Sequence, residues 1–126
     1  LAEAYLTQGE SVNAREEAAR SLAIAEELAV PGEQGLTWRV MGVIAATEGR
    51  LDEAETNLEK AVDLLRSVGD DYGLACAQLS LAELYDGQAQ SSPRDDLLAA
   101  CKPTFERLGA SIEIARAQEL IAGSSA

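Results

Sequence analysis

The chain has 126 residues, the size of one ordinary domain, and 47% of them are apolar, so a single core is within reach. Only 4% are aromatic, which leaves Leu, Ala, Val and Ile to fill that core. Twenty-two acidic against ten basic residues give a net charge of −12, which repels a phosphate backbone and argues against nucleic-acid binding. No apolar run approaches the roughly 18–20 residues of a membrane-spanning helix, and two cysteines are too few for a disulfide framework. A cytoplasmic location is the expectation.

Taken in chain order, the apolar spacing predicts seven helices, near 1–8, 11–29, 33–48, 51–68, 71–87, 92–108 and 111–122. Gly9 marks the first turn. Val30-Pro31-Gly32 ends the second helix, as Gly69-Asp70-Asp71 and Gly109-Ala110-Ser111 end later ones, with Gly available for the left-handed conformation. The segment holding Leu36, Trp38, Val40, Met41, Val43, Ile44 and Ala45 is apolar on more than one side, as an inner helix is. After the short turn at Gly49-Arg50, Leu51, Ala54, Leu58, Ala61, Val62 and Leu65 recur at steps of three and four and share one face. Two helices joined so briefly must run antiparallel. The polar stretch GQAQSSPRDD reads as a helix start, with Ser92 as N-cap, Pro93 at the first helical position and Asp95-Asp96 in the first turn. No segment alternates with period two for long, so strands are not expected.

The helices repeat. A shift of forty residues carries Gly9 to Gly49, Ala14 to Ala54, and Met41-Gly42 to Leu81-Ala82; a further shift reaches Ile121-Ala122. Residues 1–32 form a first, partial unit, 33–70 a second, 71–109 a third, and 110–126 a closing helix and tail. The opening at Leu1 in mid-helix suggests a fragment of a larger protein.

Trp38-x-x-Met41-Gly42-x-x-Ala45 followed by Ala54-x-x-x-Leu58-x-x-Ala61 resembles the tetratricopeptide repeat pattern, with Gln78 where that pattern has Trp and Tyr85 where it has Tyr. The resemblance implies an all-α fold, a right-handed superhelical solenoid of antiparallel helix pairs with about three repeats. It assigns repeat packing to Trp38, Gly42, Ala54, Leu58, Ala61, Ala82 and Tyr85. In a hairpin turning near Gly49, Gly42 is expected opposite Ala54, with Ala61 facing the next unit. The forty-residue period is similar to the longer repeats of bacterial LuxR/MalT-type regulators and of repeat-containing nucleotide cyclases.

Chemistry is sparse. There is no histidine, which excludes His-based triads and His-ligated zinc, and no glycine-rich phosphate loop. The acidic pairs such as Glu16-Glu17 and Glu26-Glu27 point apart on a helix, as solvated faces do. No catalytic residue, metal site or cofactor is expected. Cys76 and Cys101 fall symmetrically about the turn near 88, on facing helices. Axes about 8–10 Å apart exceed the reach of a disulfide, so free thiols are expected.

What the resemblance implies is a ligand on the concave face, lined by the first helix of each pair. The outward-facing positions there are Glu3, Leu36, Arg39, Val43, Leu79, Glu83 and Asp86. Their mixture of apolar and acidic groups suits a peptide or protein segment that is basic and amphipathic. Two other roles stand beside this protein-interaction scaffold. One is oligomerisation or regulation within a multidomain transcription regulator or nucleotide cyclase; the other is a small-molecule sensor, which needs convergent polar groups.

Overall fold

The computed structural model describes residues 8–27 and 31–124, which form six helices: α1 (Gln8–Glu27), α2 (Pro31–Thr47), α3 (Leu51–Val68), α4 (Asp71–Gly87), α5 (Ser91–Leu108) and α6 (Ser111–Ser124). No strand occurs among the described residues. Each helix packs on its chain neighbours, most extensively α2 on α3 and α4 on α5; beyond these, α2 touches α4 and α4 touches α6. Thus α2, α4 and α6 form one layer, with α3 and α5 behind them and α1 against α2. The molecule is an all-helical solenoid of stacked hairpins.

The expected helix at 1–8 lies outside the described residues save Gln8. The turn expected at Gly9 is absent, because Gly9 and Glu10 belong to the first turn of α1. Amide groups there need no partner within the helix, so glycine's low helix propensity weighs little. At the next boundary Pro31 is the first residue of α2, where its missing N–H costs nothing. Further on, Gly69 and Gly109 end α3 and α5 with φ of 74° and 66°. Asp70 caps α4 by accepting a 2.8 Å bond from the Gly73 amide.

The two hairpin turns share one geometry. At 48–50 the Arg50 amide donates to the Ala45 carbonyl at 2.9 Å, and Gly49 takes φ +80°. Forty residues later the Gln90 amide donates to the Tyr85 carbonyl at 2.9 Å, and Ala89 takes φ +59°. This repeated turn overrides the start expected from Ser92. Here α5 begins at Ser91, Gln90 occupies the cap position without a side-chain bond, and Pro93 is the third helical residue. Proline is harmless there too, since that amide would have no acceptor in the helix.

Close packing inside the hairpins explains the small residues. A Cβ placed on Gly42 would lie 2.6 Å from Leu58 Cγ and 3.2 Å from the Leu58 backbone nitrogen; one on Gly35 would lie 2.7 Å from Leu65 Cγ. Leu58 and Leu65, two turns apart on α3, therefore fill hollows at Gly42 and Gly35, two turns apart on α2. The expected pairing of Gly42 with Ala54 is corrected to Leu58. A helical Cα–Cβ bond leans toward the N-terminus, away from this turn, so Gly42 addresses a residue of α3 farther from the turn than Ala54. Ala54 is fully buried in the same cluster, with Ala45, Leu58, Ala61, Leu65, Ala77 and Leu81, and Trp38 and Tyr85 pack against it. In the third unit Ala75 and Ala82 stand where Gly35 and Gly42 do, and Leu98 and Phe105 where Leu58 and Leu65 do. All four lie in the second core cluster with Leu79, Cys101 and Ala117.

Two outcomes follow from this packing, both readable by chemical denaturation. Gly42→Ala should lower stability by about 1 kcal/mol, because overpacking of about 1–3 kcal/mol exceeds a helix-propensity gain of about 1 kcal/mol. In a Leu58→Ala background the same change should become neutral or stabilising. Separately, Ala89→Gly should raise stability by about 1 kcal/mol by relieving the left-handed strain on alanine.

Candidate functional site

The inner layer carries a groove of about 680 Å3. Val43, Ala46 and Thr47 of α2 form one side, and Ser80, Glu83 and Leu84 of α4 another. Leu51 of α3 and Ile112 and Arg116 of α6 complete the walls. It is apolar for most of its lining, and Ile112 is 72% exposed at its edge. The groove exists because α2 and α4, the first helices of their hairpins, and α6 follow one another in a single layer.

An ion pair joins two of those helices. Arg116 of α6 donates to both carboxylate oxygens of Glu83, from Nε at 3.2 Å and from Nη2 at 2.5 Å. Two parallel bonds fix the guanidinium plane as well as its position. Nearby, the Tyr72 hydroxyl donates to Glu113 Oε1 at 2.5 Å, which raises the phenol's pKa, and its ring meets Phe105 edge-on at 6.2 Å. These contacts orient α6 on α4.

The seven expected surface residues are not gathered in one place. Val43 and Glu83 line the groove. Leu36 faces α1 instead, in a shallower hollow with Ala18 and Val40. Arg39 is half-buried, and its charge acts on the Cys76 thiol. Leu79 is corrected: it is fully buried between α4 and the later helices, with Leu98, Phe105 and Ala117. A single-helix face drawn from sequence could not include α6, which buries that side of α4. Asp86 turns toward α5, where buried Arg94 donates to it at 2.8 Å and to Asp95 at 2.9 Å. Glu3 lies outside the described residues.

Sequence reasoning missed Ile112, Arg116 and Ser80. Arg116 meets Glu83 across 33 residues, beyond any local pattern. Ser80 did leave a signal, as one of two polar residues, with Gln78, in the otherwise apolar stretch Ala75–Ala82. Among the described residues no group of three or more His, Cys, Asp or Glu side chains is placed to hold a metal ion, and no helix is long and apolar enough to cross a membrane.

Stacked helical hairpins with an open inner groove define a helical-repeat scaffold. Residues 33–93, from α2 into the start of α5, match the family model for the tetratricopeptide repeat, so that stretch carries tetratricopeptide repeats. Such repeats generally mediate contacts between proteins and are generally non-catalytic. No curated protein and no solved structure matches the chain.

Both thiols are free, Cys76 half-buried and Cys101 buried. Burial pushes the Cys101 thiol from its ordinary 9.0 up to about 11 and also raises Cys76, where the Tyr72 hydroxyl and the Arg39 charge oppose it. At pH 8 iodoacetamide should therefore leave Cys101 unlabelled in the folded protein and label it on unfolding, as mass spectrometry would show. Because the folded-state pKa lies above the unfolded one, the stability linked to Cys101 is complete below about pH 9 and falls as pH rises toward about 11. Cys101→Ala should flatten that part of the pH–stability curve relative to wild type.

Proposed function

We propose that this chain is a protein-interaction module that holds a segment of another protein in the groove between α2, α4 and α6. The observation that carries this reading is the groove itself: largely apolar walls from α2, α3, α4 and α6, with Ile112 presented at the edge. Apolar burial supplies the affinity of such a contact, and exposed apolar surface concentrated in a concavity is where a partner gains most. The net charge of −12 favours a partner rich in Lys and Arg through long-range attraction, so the bound segment is basic and amphipathic. We further propose that the unit belongs to a larger bacterial signalling or regulatory protein acting in the cytoplasm, on the strength of the forty-residue period.

Self-association is the second reading, favoured by apolar exposure on α6, where Ile112 is 72% and Ile121 38% exposed. Sedimentation velocity over a concentration range separates the two, because only self-association makes the sedimenting species grow with protein concentration.

A photo-crosslinking residue placed at Ile112, and in a second variant at the exposed Ser67 on α3, tests the groove in source cells. Crosslinks from position 112 to a basic segment of another protein, with none from position 67, are the expected result. Equal crosslinking from both positions, or none from 112, would contradict groove binding.

A further inference from the structure

Ser80 is the most unusual side chain in the groove. It is only 5% exposed, and its Oγ is sealed from solvent with no hydrogen-bond partner. Buried hydroxyls are rarely left this way. Other helical hydroxyls in this molecule bond the carbonyl one turn back: Thr37 to Glu33 at 2.9 Å, Thr47 to Val43 at 3.0 Å and Thr56 to Asp52 at 3.0 Å. Ser80 does not, although its own helix offers the same acceptor. It lines the groove, and its single side-chain torsion has three staggered wells among which the hydroxyl can turn.

We infer that the groove receives a tyrosine side chain from a partner segment flanked by Lys or Arg, with the ring among Val43, Leu84 and Ile112 and the phenolic hydroxyl on Ser80. This rests on the groove being the binding face. The groove that Ser80 lines has apolar walls at Val43, Leu84 and Ile112, and its charged members Glu83 and Arg116 are paired with each other, so a fitting partner brings a hydrogen-bonding tip on an apolar body, as aromatic side chains with polar ends do. A phenol both donates and accepts, matching a serine hydroxyl in either sense, whereas an indole only donates. A phenol ring fills more of the 680 Å3 groove than a short hydroxyl side chain does. Basic neighbours follow from the chain's charge of −12.

The test is selection of random short peptides from a display library on the full chain, in parallel with Ser80→Ala and Ile112→Asp. Both variants should keep their helical circular dichroism, since Ile112 is exposed and alanine suits a helix. The wild type should enrich peptides with tyrosine beside Lys or Arg. For a synthetic representative, Tyr→Phe should weaken binding by roughly five- to tenfold, the worth of one hydrogen bond. Ser80→Ala should bind the Tyr and Phe forms alike, and Ile112→Asp should bind neither. If Ile112→Asp abolishes binding but the selected peptides lack tyrosine, or prefer it equally on Ser80→Ala, the tyrosine inference falls while groove binding stands. Peptides indifferent to Ile112→Asp, or no enrichment at all, overturn both.

Discussion

The fit of Leu58 and Leu65 into the hollows at Gly42 and Gly35 is the constraint on which the rest of this structure depends. With no side chain at either glycine, α2 and α3 approach until leucine carbons meet backbone. That contact fixes their separation and register at two points two turns apart, which is enough to fix the orientation of one helix on the other. Leu65 also passes the constraint on: a Cβ on Gly73 of α4 would lie 3.0 Å from its Cδ2. One side chain thus positions helices of two successive hairpins, and the Lys60 ammonium over the Trp38 ring, 4.2 Å from its centroid, adds a contact between α2 and α3 on the outside.

The third unit solves the same problem with larger residues. Alanines at 75 and 82 replace the glycines, and the second leucine becomes Phe105, which is fully buried. Phe105 then reaches beyond its own hairpin to Tyr72, whose hydroxyl ties α4 to Glu113 of α6. With the Glu83–Arg116 pair, this sets α6 beside α4 and closes the groove on that side. The groove is therefore a consequence of hairpin packing: its walls stand where the cores behind them place α2, α4 and α6, with Leu51 and Leu58 of α3 between.

The fold was largely legible because its signals are local. Gly69 and Gly109 announce helix ends by a left-handed backbone, and the run Leu51, Ala54, Leu58, Ala61, Val62 and Leu65 announces the buried face of α3. Where local signals misled, a repeated or longer-range constraint had won. Ser92 has the chemistry of a cap, yet the turn copied from 48–50 starts α5 at Ser91, even making Ala89 accept a positive φ. Surface residues were harder to assign than core residues. Helical spacing identifies which residues share a face but not which later helix covers it. Leu79 is accordingly interior and Asp86 is engaged by Arg94, while Ser80 and Ile112, which the helical spacing did not single out, line the groove.

The central claim is that the interlocked hairpins build a binding face on the α2, α4 and α6 layer. Residue-resolved amide hydrogen exchange, with and without a basic amphipathic peptide selected on the protein, tests it most directly. The account requires added protection at the groove ends of α2 and α4 and in the first turns of α6, with α5 and the C-terminal half of α3 unchanged. Protection confined to α3 and α5, with the inner layer exchanging as before, would contradict it.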